Sequence, residues 1–103
     1  MPRVLCERWG GVRYMVIERF LKGAKPVYDV VAEHGRMLPD GLNFVDSWID
    51  ERSLDRCFQL METDNPSLFD KWINNWSRWG DLIAFEIVPV VDSTEAARRS
   101  NER

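Results

Sequence analysis

Only two cysteines and one histidine occur among the 103 residues. Cys6 and Cys57 lie far apart, with no CxxC or Cys/His spacing, so neither a disulfide framework nor a metal-ligand set is indicated. An excess of positive charge is also missing. Lys and Arg number 14 against 17 Asp and Glu, a net charge of -3, which leaves no basic footprint for nucleic acid or anionic lipid. Long hydrophobic runs are absent too, and the apolar stretches are far too short to span a bilayer. The opening Met1 to Trp9 is interrupted by charge and lacks the apolar run of a signal peptide. These absences point to a soluble protein of a reducing, cytoplasmic compartment. No motif fixes a reaction.

What is present is a chain 45% hydrophobic, enough for one compact domain. Residues 1–12 show no periodicity and end in Gly10-Gly11, which reads as a flexible N-terminal extension. The domain proper spans 13–95, and 96–103 form a C-terminal tail. Arg13 to Phe20 is rich in β-branched and aromatic residues and predicts strand one. Pro26 suits the first turn of a helix, Val27, Val30, Val31 and His34 recur at helical spacing, and Gly35 fits the position after its end. Asn43 to Asp50 predicts strand two. Only Glu51 to Asp55 separates it from strand three, Arg56 onward, so the two form an antiparallel hairpin.

Strand three runs into the sharpest helix signal in the chain. Asn65 is a good N-cap, Pro66 fits the first helical position and Asp64 places negative charge at the positive end of the helix. Leu68, Phe69, Trp72, Ile73, Trp76 and Trp79 make its apolar stripe, which Gly80 ends. Leu82 to Val91 predicts strand four, and a short helix follows Asp92. The order βαββαβ is that of an α+β, ferredoxin-like fold: a four-stranded antiparallel sheet with strands one and three in the middle and both helices on one face.

Side chains alternate along a strand, so parity sorts them into two faces. Met15, Ile17, Val45, Ile49, Phe58, Leu60, Phe85 and Ile87 are nearly all apolar and are expected beneath the helices. The opposite set contains Tyr14, Val16, Glu18, Phe20, Phe44, Asp46, Trp48, Cys57, Gln59, Met61, Ala84, Glu86, Val88 and Val90. It carries too many large apolar groups to stay bare, which predicts that two copies place these faces together as an isologous homodimer.

Five segments carry a family resemblance: Met15 to Phe20 (MVIERF), Gly35 to Leu42 (GRMLPDGL), Val45 to Trp48 (VDSW), Arg56 to Asp64 (RCFQLMETD) and Phe85 to Val90 (FEIVPV). Over roughly 13–95 the chain resembles the DUF3303 proteins, small bacterial proteins of uncharacterised function associated with the dimeric α/β-barrel superfamily. The resemblance implies a dimeric α/β barrel and no particular activity. The wider superfamily includes cofactor-independent monooxygenases, haem-degrading enzymes, and chlorite-dismutase-like and muconolactone-isomerase-like proteins.

The candidate ligand-binding residues are Glu18, Asp46, Trp48 and Gln59, with Glu86 as an outer member. Strands one and three are neighbours, so Glu18 and Gln59 can approach each other. A Glu on a partly apolar face has its pKa pushed up by desolvation and can act as acid or base near neutral pH. Trp48 and Tyr14 offer a wall for a planar ligand. The structural alternative is that these groups pair inside the dimer and fix its geometry. His34 is the second catalytic candidate, as a general base or, by the superfamily resemblance, a haem ligand. Haem is the one cofactor left open, and an ordinary capping or core histidine is the plainer role.

The Trp72, Trp76 and Trp79 series reads as core, and Cys57 has no activating base beside it. The functional expectation is a dimer that binds a small hydrophobic or aromatic molecule in its barrel. The alternatives are a non-catalytic assembly dimer and a cofactor-independent monooxygenase-like enzyme. RNA-recognition modules share the element order, but an acidic face and Arg56-Cys57-Phe58-Gln59-Leu60 on strand three argue against RNA.

Overall fold

The computed structural model describes residues 12–102. The extension expected over 1–12 therefore lies outside the described residues, save Val12, which opens the first strand. The elements are β1 (Val12–Phe20), α1 (Ala24–His34), β2 (Asn43–Ile49), β3 (Arg56–Thr63), α2 (Leu68–Ser77), β4 (Ile83–Val90) and α3 (Ser93–Asn101). The four strands form one sheet in the order β2-β3-β1-β4 with every neighbouring pair antiparallel. This is the ferredoxin-like α+β arrangement that the element order predicts, with the third helix beyond Asp92 appended.

Local chemistry accounts for the helix limits. Gly35 sits at φ 70 and donates its N–H to the Val31 carbonyl, closing α1 as a residue with no Cβ can. Pro26 falls one turn inside α1, at its third residue, where its missing N–H costs no helical bond. In α2 the regular helix begins at Leu68, two residues later than the Asn65 cap implies. The Asn65 side chain instead accepts from the Ser67 N–H at 3.2 Å and the Ser67 hydroxyl at 2.6 Å, forming a side-chain turn that feeds the helix. In α3, Asp92 caps directly, accepting from the Glu95 N–H at 2.8 Å.

The core identifies the covered face, and it corrects the parity assignment. Val16, Phe20, Cys57 and Met61 from the sheet are buried with Val27 and Val30 of α1 and Phe69, Trp72 and Trp76 of α2. Tyr14 meets Phe69 edge-on at 5.0 Å and Phe20 meets Tyr28 at 6.1 Å. The helices thus cover the face of Tyr14, Val16, Glu18, Phe20, Cys57, Gln59 and Met61. Met15, Ile17, Phe58 and Leu60, expected beneath the helices, lie on the opposite, uncovered side.

Phe85 and Ile87 do lie under the helices, but opposite Glu18 and Val16, so Glu86, Val88 and Val90 share the open side with Ile17, Met15 and Arg13. On β2 a bulge at Val45 breaks the alternation: Phe44 pairs with Met61, whereas Asp46 pairs with Leu60 and Trp48 with Phe58. One extra residue thereby sends Phe44, Ser47 and Ile49 to the helix side and Asp46 and Trp48 to the open side.

Candidate functional site

A polar cluster lies inside this otherwise apolar layer. Glu18 and Gln59 point from the two central strands and are 3% and 5% exposed. Gln59 Nε2 donates to Glu18 Oε2 at 2.6 Å, the short distance of a charge-assisted bond. The other end of the same amide accepts from Arg36 Nε at 3.4 Å, and Arg36 Nη2 reaches Ser47 Oγ at 3.4 Å. The guanidinium carbon stands 3.8 Å from the centre of the Phe44 ring, a cation–π stack. Acid, amide, guanidinium and hydroxyl thus form a continuous line across β1, β3 and β2.

Arg36 is aimed into this line by its loop. Its own carbonyl accepts from the buried Trp72 indole N–H at 2.8 Å, and the next carbonyl, of Met37, accepts from Asn75 Nδ2 at 2.9 Å. Two bonds from α2 therefore hold the segment after α1. Met37 adopts φ 61, a left-handed backbone uncommon outside glycine and concentrated near functional sites.

Electrostatics single out Glu18. Burial raises its pKa from 4.5 to about 7, against the opposing pull of Arg36 and of the Gln59 hydrogen bond. Cys57 is pushed up to about 11, by burial first and then by the Glu18 charge. Tyr28 is held above its ordinary 10 by burial, then by Cys57 and Glu18. Near neutral pH the thiol and the phenol are uncharged, so only Glu18 and Arg36 bring charge to the cluster. Glu18 alone can exchange a proton there near neutrality. Among the described residues the Trp76 indole N–H is the one side-chain polar atom sealed from solvent without a partner. Among the described residues, Glu18 Oε2 is the carboxyl oxygen that takes a side-chain hydrogen bond, from Gln59.

The structure brings Glu18 and Gln59 together and separates the other candidates from them. Asp46 is exposed on the open side and accepts from the Ser47 N–H at 2.8 Å. Trp48 is 52% exposed, over Phe58 on that same side. Glu86 is exposed opposite Ile17. His34 does stand on the helix side but outside the cluster, with its ring 5.0 Å from Trp79 and Nε2 3.1 Å from Glu33 Oε1. Arg36 and Ser47 are the members that sequence reasoning missed.

No group of three or more His, Cys, Asp or Glu among the described residues is placed to hold a metal ion. No helix among them is long and apolar enough to cross a membrane.

Fold and cluster together define a class: a ferredoxin-like domain with a Glu18–Gln59–Arg36 polar cluster between its sheet and helices. The model of a domain of unknown function, DUF3303, matches residues 12–102, and the chain belongs to that family. Comparison with curated proteins and with solved structures found no match to either.

Proposed function

We propose that this domain binds a small hydrophobic or aromatic molecule beside α1, and that Glu18 exchanges a proton with it. The observation that carries this reading is the buried Glu18–Gln59 pair, bonded at 2.6 Å and linked on to Arg36, with the Glu18 carboxyl raised to about 7. A buried carboxyl poised near neutrality beside an amide and a guanidinium is suited to acid–base work.

The test is a thermal-shift screen of aromatic and carbonyl-bearing metabolites, each variant scored against its own ligand-free melting temperature. Compounds that stabilise the wild type are expected to lose most of their effect in Gln59→Leu, which leaves Glu18 without its donor. Hits that shift both proteins equally would place the ligand elsewhere and defeat this assignment.

Homodimerisation is the second proposal, and the corrected faces move its interface. The uncovered side presents Met15, Ile17, Phe58, Leu60, Val88 and the half-exposed Trp48 across four adjacent strands. An apolar sheet face that α1 and α2 leave partly exposed is a recognised association surface on a small domain. Its rim is charged: Arg13 pairs with Glu62 at 2.7 Å at one end, and Arg19 lies opposite Arg56 at the other. Light scattering at micromolar concentration is expected to give a dimer, and Leu60→Asp a folded monomer. A monomeric wild type would remove this proposal and leave the Glu18 site standing.

A further inference from the structure

The charges around Glu18 specify the class of ligand, an inference that rests on the site proposed above. Both described acceptors of Arg36 are neutral, the Gln59 carbonyl oxygen and the Ser47 hydroxyl, and both bonds are long at 3.4 Å. None of the ion pairs among the described residues includes Arg36. Glu18, the acid beside it, is held off by the intervening amide of Gln59. Among the described residues, this half-buried guanidinium, fixed by its loop and stacked on Phe44, holds no carboxylate in direct contact, and its fork meets only neutral acceptors. The group that fills a guanidinium fork best is a planar carboxylate, through two parallel N–H to O bonds. The Glu18 carboxyl adds a hydrogen-bond donor when protonated.

We propose that the ligand is a small aromatic carboxylate, its anion on Arg36 with Ser47 beside it and its apolar body toward the half-exposed Tyr28 ring. The proposal has a pH signature. Arg36 from the loop, Tyr28 from α1 and Cys57 from β3 are the titratable groups that face Glu18. Opposite it β4 presents Phe85, on which α2 lays Trp72, and β2 contributes the neutral Ser47. An incoming anion therefore meets one titrating neighbour, Glu18. It binds best while that carboxyl is protonated, and a bound anion in turn favours the protonated form.

Isothermal titration of the full chain with benzoate, benzamide and benzylamine tests this. Benzoate is expected to bind most tightly, and its affinity to fall roughly tenfold between about pH 6 and pH 8 as Glu18 ionises. Arg36→Met is expected to abolish benzoate binding, and Arg36→Lys, which keeps the charge without the fork, to weaken it. Glu18→Gln is expected to lose the pH dependence of benzoate affinity. Circular dichroism confirms that each variant is folded.

Benzamide or benzylamine binding as tightly as benzoate would overturn the carboxylate assignment while the Glu18 site stands. So would benzoate binding that survives Arg36→Met, or no binding of benzoate at millimolar concentration. A Glu18 carboxyl that titrates in the ordinary range by carbon-detected NMR would overturn both the assignment and the site.

Discussion

Trp72→Ala is expected to cost about 3–5 kcal/mol, the range for truncating a large core aromatic, against a total stability of about 5–15 kcal/mol for a domain. Trp72 is 1% exposed and packs edge-on against Phe85 at 5.2 Å and Phe69 at 6.4 Å. It joins α2 to β4 through the centre of the covered face. Its indole N–H also donates to the Arg36 carbonyl at 2.8 Å, so the truncation leaves a cavity and an unpaired acceptor together.

Trp72→Phe separates the two effects. It keeps most of the aromatic volume and removes the bond, with an expected cost of about 1–2 kcal/mol. Released from α2, Arg36 should then lose its fixed orientation, and ligand affinity should fall more than stability does. Urea unfolding followed by circular dichroism measures the stabilities. A loss under about 1 kcal/mol for Trp72→Ala would mean that this indole does not join α2 to the sheet.

The element order and the pairing of Glu18 with Gln59 were legible because they rest on local signals. Gly35, the short polar link from Glu51 to Asp55, and the tryptophan stripe of α2 each specify their neighbourhood without knowledge of the rest of the chain. Which sheet face is covered is a different kind of question, because apolar residues occupy both parities of β1 and β3. Charge at the strand ends holds the answer. The Met15/Ile17 parity is flanked by Arg13 and Arg19, and the Phe58/Leu60 parity by Arg56 and Glu62, so both carry ions at each end. Tyr14, Val16, Glu18 and Phe20 hold one charge, while Cys57, Gln59, Met61 and Thr63 hold none. The face that lacks flanking ions can be sealed under helices at lower desolvation cost.

The bulge at Val45 left no comparable trace. Val45 looks like any β-branched strand residue, yet its insertion reverses every side chain that precedes it relative to those that follow. That reversal separated Phe44 from Asp46 and Trp48, and it delivered Ser47 to the site. Arg36 was hidden for another reason. It lies in a loop, where no periodicity assigns direction, and its aim depends on Trp72 and Asn75 about forty residues later. Loop groups positioned by distant elements are where single-sequence reading runs out.

Glu18→Gln is expected to abolish a pH dependence of stability that the wild type carries in the opposite sense to most carboxylates. The folded-state pKa of Glu18 lies near 7 and the ordinary value is 4.5. Between those pH values the folded chain holds a proton that the unfolded chain has released. Stability therefore falls as pH rises through this window and levels off above it. A shift of that size corresponds to about 3 kcal/mol at its upper limit.

Gln at position 18 removes the titrating group but can still accept the Gln59 bond through its carbonyl. The variant should match the wild type below about pH 4 and exceed it by up to about 3 kcal/mol near pH 8. The difference between the two profiles isolates Glu18, because the remaining carboxylates are common to both chains. Arg36→Met should push the Glu18 titration still higher, since Arg36 is the main group holding it down. Urea unfolding at several pH values gives the profiles. Parallel curves for wild type and Glu18→Gln would show that this carboxyl ionises alike in both states, and would remove the buried, proton-exchanging acid on which the functional reading stands.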